Sequence, residues 1–310
     1  MKKWITLALV LVMMSAAACA DAVTVGICQL VQHEALDAAT KGFQDALREK
    51  LPDVEFDVQN ASGDIFNCVM MTSKFASDDV DLILANATAP LQAAVAATAD
   101  VPILGTSVTD YATALGIADW NGTTGMNVSG TTDLAPLDGQ AAMIKELFPE
   151  AKTVGMLDCS AEANSTYQVE TITGYLEEMG YTCQNFAFTD SNDLASVAQK
   201  AAEESDVLYI PTDNTAAAYT ETVANVVLPE GVPVIVGEEN NYRGCGLATL
   251  TIDYYEMGRR TGEMAYEILA NGADVRTMPV ELAPAFIKKY NAENAAALGL
   301  DMPEDYVPID

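Results

Sequence analysis

Apolar and polar positions fall in blocks that repeat along the chain. Asp206-Val-Leu-Tyr-Ile-Pro-Thr-Asp-Asn214 runs from an acid through an apolar stretch to a polar break, and Asp81-Leu-Ile-Leu-Ala-Asn-Ala-Thr-Ala-Pro90 has the same layout. A short apolar run ended by polar residues marks a parallel strand buried on both faces. Each copy leads through an Ala-rich helical segment to another apolar run that opens on Val-Pro, at 101–105 and 232–237. The chain therefore reads as two similar α/β halves.

The first half opens with a strand at 23–27, followed by Cys28-Gln29 and an amphipathic helix at 36–50 with Leu36, Ala39, Phe43, Ala46 and Leu47 on one face. Strands at 54–58, 82–85 and from Ile103 alternate with helices at 65–76 and 90–99. Residues 120–132 are rich in Gly and polar residues and break the periodicity, which predicts the first crossing between halves. In the second half, helices at 137–148, 166–179, 194–204 and 215–227 alternate with strands at 153–157, at 181–188, before Asp213-Asn214 and at Val234. Residues 247–252 read as the return crossing and 254–270 as a long helix stopped by Gly272. A strand at 278–282 and a helix at 294–298 complete the tail.

This alternation predicts an α/β fold class: two doubly wound, Rossmann-like parallel-sheet lobes joined by three hinge crossovers. The expected division puts 21–128 with 251–276 in lobe 1 and 129–250 with 277–310 in lobe 2.

Composition narrows the classes of function. The chain has 310 residues, 50% of them apolar, enough for two cores. Met1-Lys-Lys, an apolar run at 4–14 and Ser15-Ala-Ala-Ala-Cys-Ala20 make a basic head, a hydrophobic middle and a small-residue end. Residues 1–20 are thus expected to be an export signal. Cleavage after Ala20 and lipidation of Cys19 both fit, so the expected location is extracytoplasmic, either secreted or periplasmic, or lipid-anchored at the cell surface. Acidic residues outnumber basic ones 45 to 15, for a net charge of −30, which excludes nucleic acid as a partner. With His33 as the single histidine and no Cys-x-x-Cys, no metal and no cofactor is expected. The cysteines beyond Cys19 read as buried small residues or as a disulfide framework. In the second case Cys28 and Cys68, at one sheet edge, are the pair able to bridge, while Cys159 and Cys183 stand several residues of rise apart.

Catalysis finds little support, because neither a nucleophile motif nor a phosphate loop is present. Binding has more. Open parallel sheets hold ligands beyond the carboxyl ends of their strands, where Asn86-Ala87-Thr88, Thr109-Asp110, Asn164-Ser165, Asp213-Asn214 and Asp253-Tyr254 all fall, with Gln29 at the end of the first strand. Helix starts at Asn86–Thr88 and Asn164-Ser165 suit a carboxylate, and Asp213 suits an ammonium, as a zwitterion requires. The alternative for each is ordinary capping, by Asp213 of the helix from Thr215 and by Asp253 of the helix from Tyr254.

Segments spread over the whole chain beyond the signal, in order, carry a resemblance: Gly42-Phe43, Leu82-Ile-Leu-Ala-Asn-Ala-Thr88, Val108-Thr-Asp110, Asn127-Val-Ser-Gly130, Glu162-Ala-Asn-Ser165, Tyr209-Ile-Pro-Thr-Asp-Asn214 and Leu247-Ala-Thr-Leu-Thr-Ile-Asp-Tyr-Tyr255. With them the chain resembles the substrate-binding proteins of tryptophan/tyrosine-type ABC transporters. The resemblance implies a type I periplasmic-binding-protein fold and capture of a small ligand, an aromatic or related amino acid, for an ABC permease by a monomer. An extracytoplasmic sensor and an α/β enzyme are the alternative classes.

Overall fold

The computed structural model describes residues 22–238, 244–282 and 285–309. The expected export signal and Cys19 lie outside them. The first sheet has strands β1 (Thr24–Gln29), β2 (Glu55–Asn60), β3 (Leu82–Asn86), β4 (Ile103–Val108), β5 (Val128–Thr132) and β11 (Glu281–Leu282), in the order β11-β5-β4-β3-β1-β2. The second has β6 (Thr153–Cys159), β7 (Thr182–Phe188), β8 (Val207–Ile210), β9 (Val234–Val236), β10 (Ala248–Thr251), β12 (Ile287–Tyr290) and β13 (Val307–Pro308), in the order β13-β12-β10-β9-β8-β6-β7. Pairing is parallel except where β12 runs antiparallel to β10.

Helices α1 (Glu34–Lys50), α2 (Ile65–Ser77), α3 (Thr88–Ala97) and α4 (Tyr111–Leu115) belong to the first lobe, together with α10 (Tyr254–Asn271). Phe43 and Leu47 of α1 and Met264 and Ala265 of α10 cover Val25 and Ile27 of β1, whereas Cys68 and Phe75 of α2 and Leu91 of α3 cover the opposite face. Two glycines let α1 and α10 touch backbone to backbone. A Cβ on Gly258 would stand 2.0 Å from the Ala39 carbonyl oxygen, and one on Gly42 2.1 Å from that of Tyr255. In the second lobe α5 (Leu137–Leu147) and α6 (Ala163–Glu178) pack on one face of the sheet. On the other lie α7 (Leu194–Glu204), α8 (Asn214–Ala218) and α9 (Thr220–Glu230).

The two parallel-sheet lobes agree with the sequence, but the crossings fall elsewhere. Residues 128–132, expected to be crossing, form β5 inside the first sheet, so the chain leaves that sheet after Thr132. Its hydroxyls are satisfied internally: Ser129 donates to the Met278 and Pro279 carbonyls, and Thr131 bonds Thr106 and Thr261. The run expected as the return crossing is β10, an inner strand of the second sheet, and the passage back is Ile252-Asp253. The third passage follows β11, whose Glu281 and Leu282 pair with Thr131 and Thr132 of the first sheet, not residue 276. The helix expected from Thr215 to Val227 is two helices broken at Tyr219.

Candidate functional site

The carboxyl edges of the two sheets face each other across a cavity of about 480 Å³, within the range of small-molecule sites. The first lobe contributes Leu30 and Val31 beyond β1, residues 62–66 at the start of α2, and Thr88, Ala89 and Gln92 of α3. The second contributes Cys159 and residues 161–164, the turn 189–192 beyond β7, and Asn214, Thr215, Ala218 and Tyr219. Among the described residues Asp64, Glu162 and Asp190 line it, and no Lys or Arg does.

Glu162 organises the second-lobe wall. One carboxylate oxygen accepts from the Thr215 amide at 2.8 Å and its hydroxyl at 2.7 Å. The other accepts from the Asn214 amide at 3.0 Å, the Asn214 side chain at 2.8 Å and Asn164 at 3.3 Å. The buried charge is thereby spread over the first turn of α8. Behind it stand Asp158 and Asp213. Burial and then the charge of Glu162 push the Asp158 carboxyl up to about 6, and the same causes, in the same order, raise Asp213 well above the ordinary range. Burial, then Asp213 and Glu162, hold the Cys159 thiol up at about 12. This edge carries an excess of negative potential that a cation would relieve.

Of the residues expected from sequence, the structure brings Thr88, Asn164 and Asn214 to the cavity wall. The others support that wall from behind or lie apart. Gln29 donates to the Val31 carbonyl and to Asp37 and accepts from Thr40, pinning the loop after β1. Asn86 donates to the Leu36 carbonyl and to Thr40. Ala87, fully buried at φ 103° and ψ 169°, turns the chain from β3 into α3 through backbone space that side chains strain, at a cost of order 1–3 kcal/mol. It offers α3 no capping oxygen, so the first turn at Thr88-Ala89 faces the cavity uncapped.

Asp213 accepts from the Cys159 amide at 2.6 Å and, as the cap of α8, from the Ala216 amide at 2.8 Å; Ser165 bonds it too. Its carboxylate is committed to the protein and does not line the cavity. Asp110 caps α4 through the Thr113 amide, and the exposed Asp253 caps α10 through that of Glu256. Thr109 and Tyr254 both bond the buried Asp133.

Sequence reasoning passed over Glu162, whose position two residues before Asn164 beyond β6 was the available signal, and over Leu30, Val31, Phe66 and Tyr219. His33, the single histidine, reaches from the first lobe to the second. Its Nε2 stands 3.4 Å from Asn214 Oδ1, and burial lowers its pKa against the opposing pull of Asn214, Glu162 and Asp37. Among the described residues no cluster of His, Cys, Asp and Glu could hold a metal ion, and no helix is long and apolar enough to cross a membrane.

The family model of ABC transporter substrate binding proteins matches residues 24–307. The chain belongs to the ABC transporter substrate-binding protein family. It is a solute-binding protein that captures a small ligand in the cleft of a type I periplasmic-binding-protein fold. A tyrosine-binding protein of Clostridioides difficile strain R20291 is 36% identical over 260 residues, 83% of this chain and 75% of that one. An ABC domain in complex with L-Trp from Streptococcus pneumonia superposes with a TM-score of 0.87 at 32% identity, covering 91% of this chain and 96% of the other. A ligand-free, open substrate-binding protein with adhesive properties from Clostridium difficile, 36% identical, superposes with a TM-score of 0.70, covering 93% and 99%.

Proposed function

We propose that this protein is the extracytoplasmic receptor of an ABC importer, a non-enzymatic monomer without cofactor that carries an aromatic amino acid, or a close relative of one, to the permease. The observation that carries the ligand class is the cavity's one-signed lining. Among the described residues Asp64, Glu162 and Asp190 line the cavity without a basic side chain. Asp158 and Asp213, their carboxyls raised by burial and then by the charge of Glu162, stand behind Glu162 at one edge. An ammonium belongs at that edge, against Glu162, Asn164 and Asn214. A carboxylate then has the uncapped first turn of α3 at Thr88-Ala89, where backbone amides and the helix dipole favour an anion. Leu30, Val31 and Ile65 offer apolar wall to the side chain between them.

The L-Trp complex and the tyrosine-binding relative support an aromatic side chain. The better superposition on the L-Trp complex than on an open protein of higher identity supports a lobe arrangement closed by hinge motion. The thiol of Cys159, kept protonated, is a poor nucleophile, which favours binding over chemistry. Melting curves with a panel of amino acids, sugars and nucleosides test this reading. A ligand bound only by the folded state raises the melting temperature, and the rise is expected with tryptophan or tyrosine. A rise with sugars alone overturns the ligand class.

A further inference from the structure

Among the described residues two aromatic side chains line the cavity, one from each lobe, and both stand open to solvent. Phe66 is 81% exposed and Tyr219 is 46% exposed. Leaving an aromatic ring in water forgoes the 150–250 Å² of burial it could supply. Neither ring is on a loose segment. Phe66 sits in the first turn of α2, where Asp64 accepts its amide at 2.8 Å, and Cys68, half a turn on, is fully buried against β1. The loop before it is tied to β1 by the Ala61 amide to the Gln29 carbonyl and the Gly63 amide to the Leu30 carbonyl. Tyr219 is the joint of α8 and α9. Its amide donates to the Thr215 and Ala216 carbonyls, and its own carbonyl accepts from Thr222 and Val223. Two fixed platforms therefore hold two open rings at opposite sides of one cavity.

We infer that Phe66 and Tyr219 are the specificity-determining residues of this cavity, a pair of jaws that close on the two faces of a ligand's aromatic ring. The inference rests on the proposed capture of an aromatic amino acid and adds which side chains select the ring. Aromatic faces attract in offset or edge-on arrangements that an aliphatic side chain does not reproduce. Because the jaws belong to different lobes, a ring gains both contacts only when the hinge is closed, so ring recognition and closure are one event. A non-aromatic ligand engages the polar ends of the site but lacks this coupling.

The test is calorimetric titration of L-tryptophan and L-tyrosine into the wild type and the variants Phe66→Ala, Tyr219→Ala and Met70→Ala, with ligand-free melting curves for each. Met70 is 70% exposed on the same helix but does not line the cavity, so it controls for loss of apolar surface in general. Both jaw variants are expected to fold as the wild type does and to weaken the bound aromatic ligand roughly tenfold each, with Met70→Ala within about twofold. Adding Phe66→Leu, which keeps bulk without a π face, should recover less than half of the lost binding free energy. If the wild type binds an aromatic amino acid and either jaw variant binds it equally well, the paired jaws are overturned while the proposed ligand class stands. If the wild type binds neither amino acid, the ligand class fails and the jaws with it.

Discussion

The Tyr254 hydroxyl donates to Asp133 Oδ2 at 3.0 Å, joining the start of α10 to the segment just beyond β5. Both side chains are buried; Asp133 lies on the first passage between the lobes and Tyr254 directly follows the second. Burial holds the Asp133 carboxyl up at about 6, against the lowering effect of the bonds from Tyr254 and Thr109. Two of the three crossings are thus fastened by a group that titrates near neutrality.

A carboxyl whose folded pKa stands above its unfolded value binds its proton more tightly in the folded state. Between about 4 and about 6 the folded protein then holds more protons than the unfolded chain, so this group's contribution falls as pH rises through that window and is flat above it. Asp133→Asn removes the titration and keeps an oxygen for Tyr254. Relative to the wild type the variant should gain stability with rising pH, by at most roughly 3 kcal/mol near neutrality, and show no gain near pH 4. Asp158, also raised to about 6, shapes both profiles alike and cancels in the comparison. Melting curves across that range check this, and a difference independent of pH contradicts it.

At Asp213 the structure shows the capping alternative that the sequence left open beside an ammonium partner. Asp213→Asn keeps one acceptor and turns an NH2 toward a backbone donor, so either the Cys159 or the Ala216 amide loses its partner. Near pH 4, where the raised carboxyl costs the folded state nothing, stability should fall by about 1–3 kcal/mol. Relief of the carboxyl's burial beside Glu162 offsets that loss as pH rises, while the affinity of the folded protein for its ligand stays within about threefold. An unchanged melting temperature at that acid pH, with tenfold weaker binding, would restore Asp213 to the ligand.

Much of the fold was legible because apolar strands and one-sided helices carry periodicity. The helix at 194–204 and the long helix stopped by Gly272 were read almost to the residue. β5 was not, because Val-Ser-Gly-Thr-Thr has no apolar run, and it is buried through hydroxyl bonds to residues far along the chain. The site was legible only as a set of strand ends. At such an end one Asp or Asn can face the cleft or bond its own backbone. Asp213, Asp110 and Asp253 do the second, and Asn164 and Asn214 line the cavity. Nothing local in the sequence separates these outcomes, because the partners, such as the Cys159 amide for Asp213, come from distant strands.

Cys28 and Cys68 are free thiols in the same core cluster, with a side-chain hydrogen bond between them. Cys183 pairs with Val154 and Cys159 with Phe188, which separates these two by several residues of rise at about 3.3 Å each, against the roughly 6 Å a disulfide spans. When the denatured and refolded chain is oxidised with a small-molecule disulfide, peptide mapping should find Cys28 joined to Cys68. Cys159 joined to Cys183 in a native-like protein would contradict the register of β6 and β7.

Capture of an aromatic amino acid between the lobes is tested most directly by calorimetric titration of protein freed of bound ligand by unfolding and refolding. Tryptophan or tyrosine should bind saturably at one site per chain, with a negative heat-capacity change from burial of the ring and the apolar wall. Heat from sugars or nucleosides, with none from any aromatic amino acid, would contradict it.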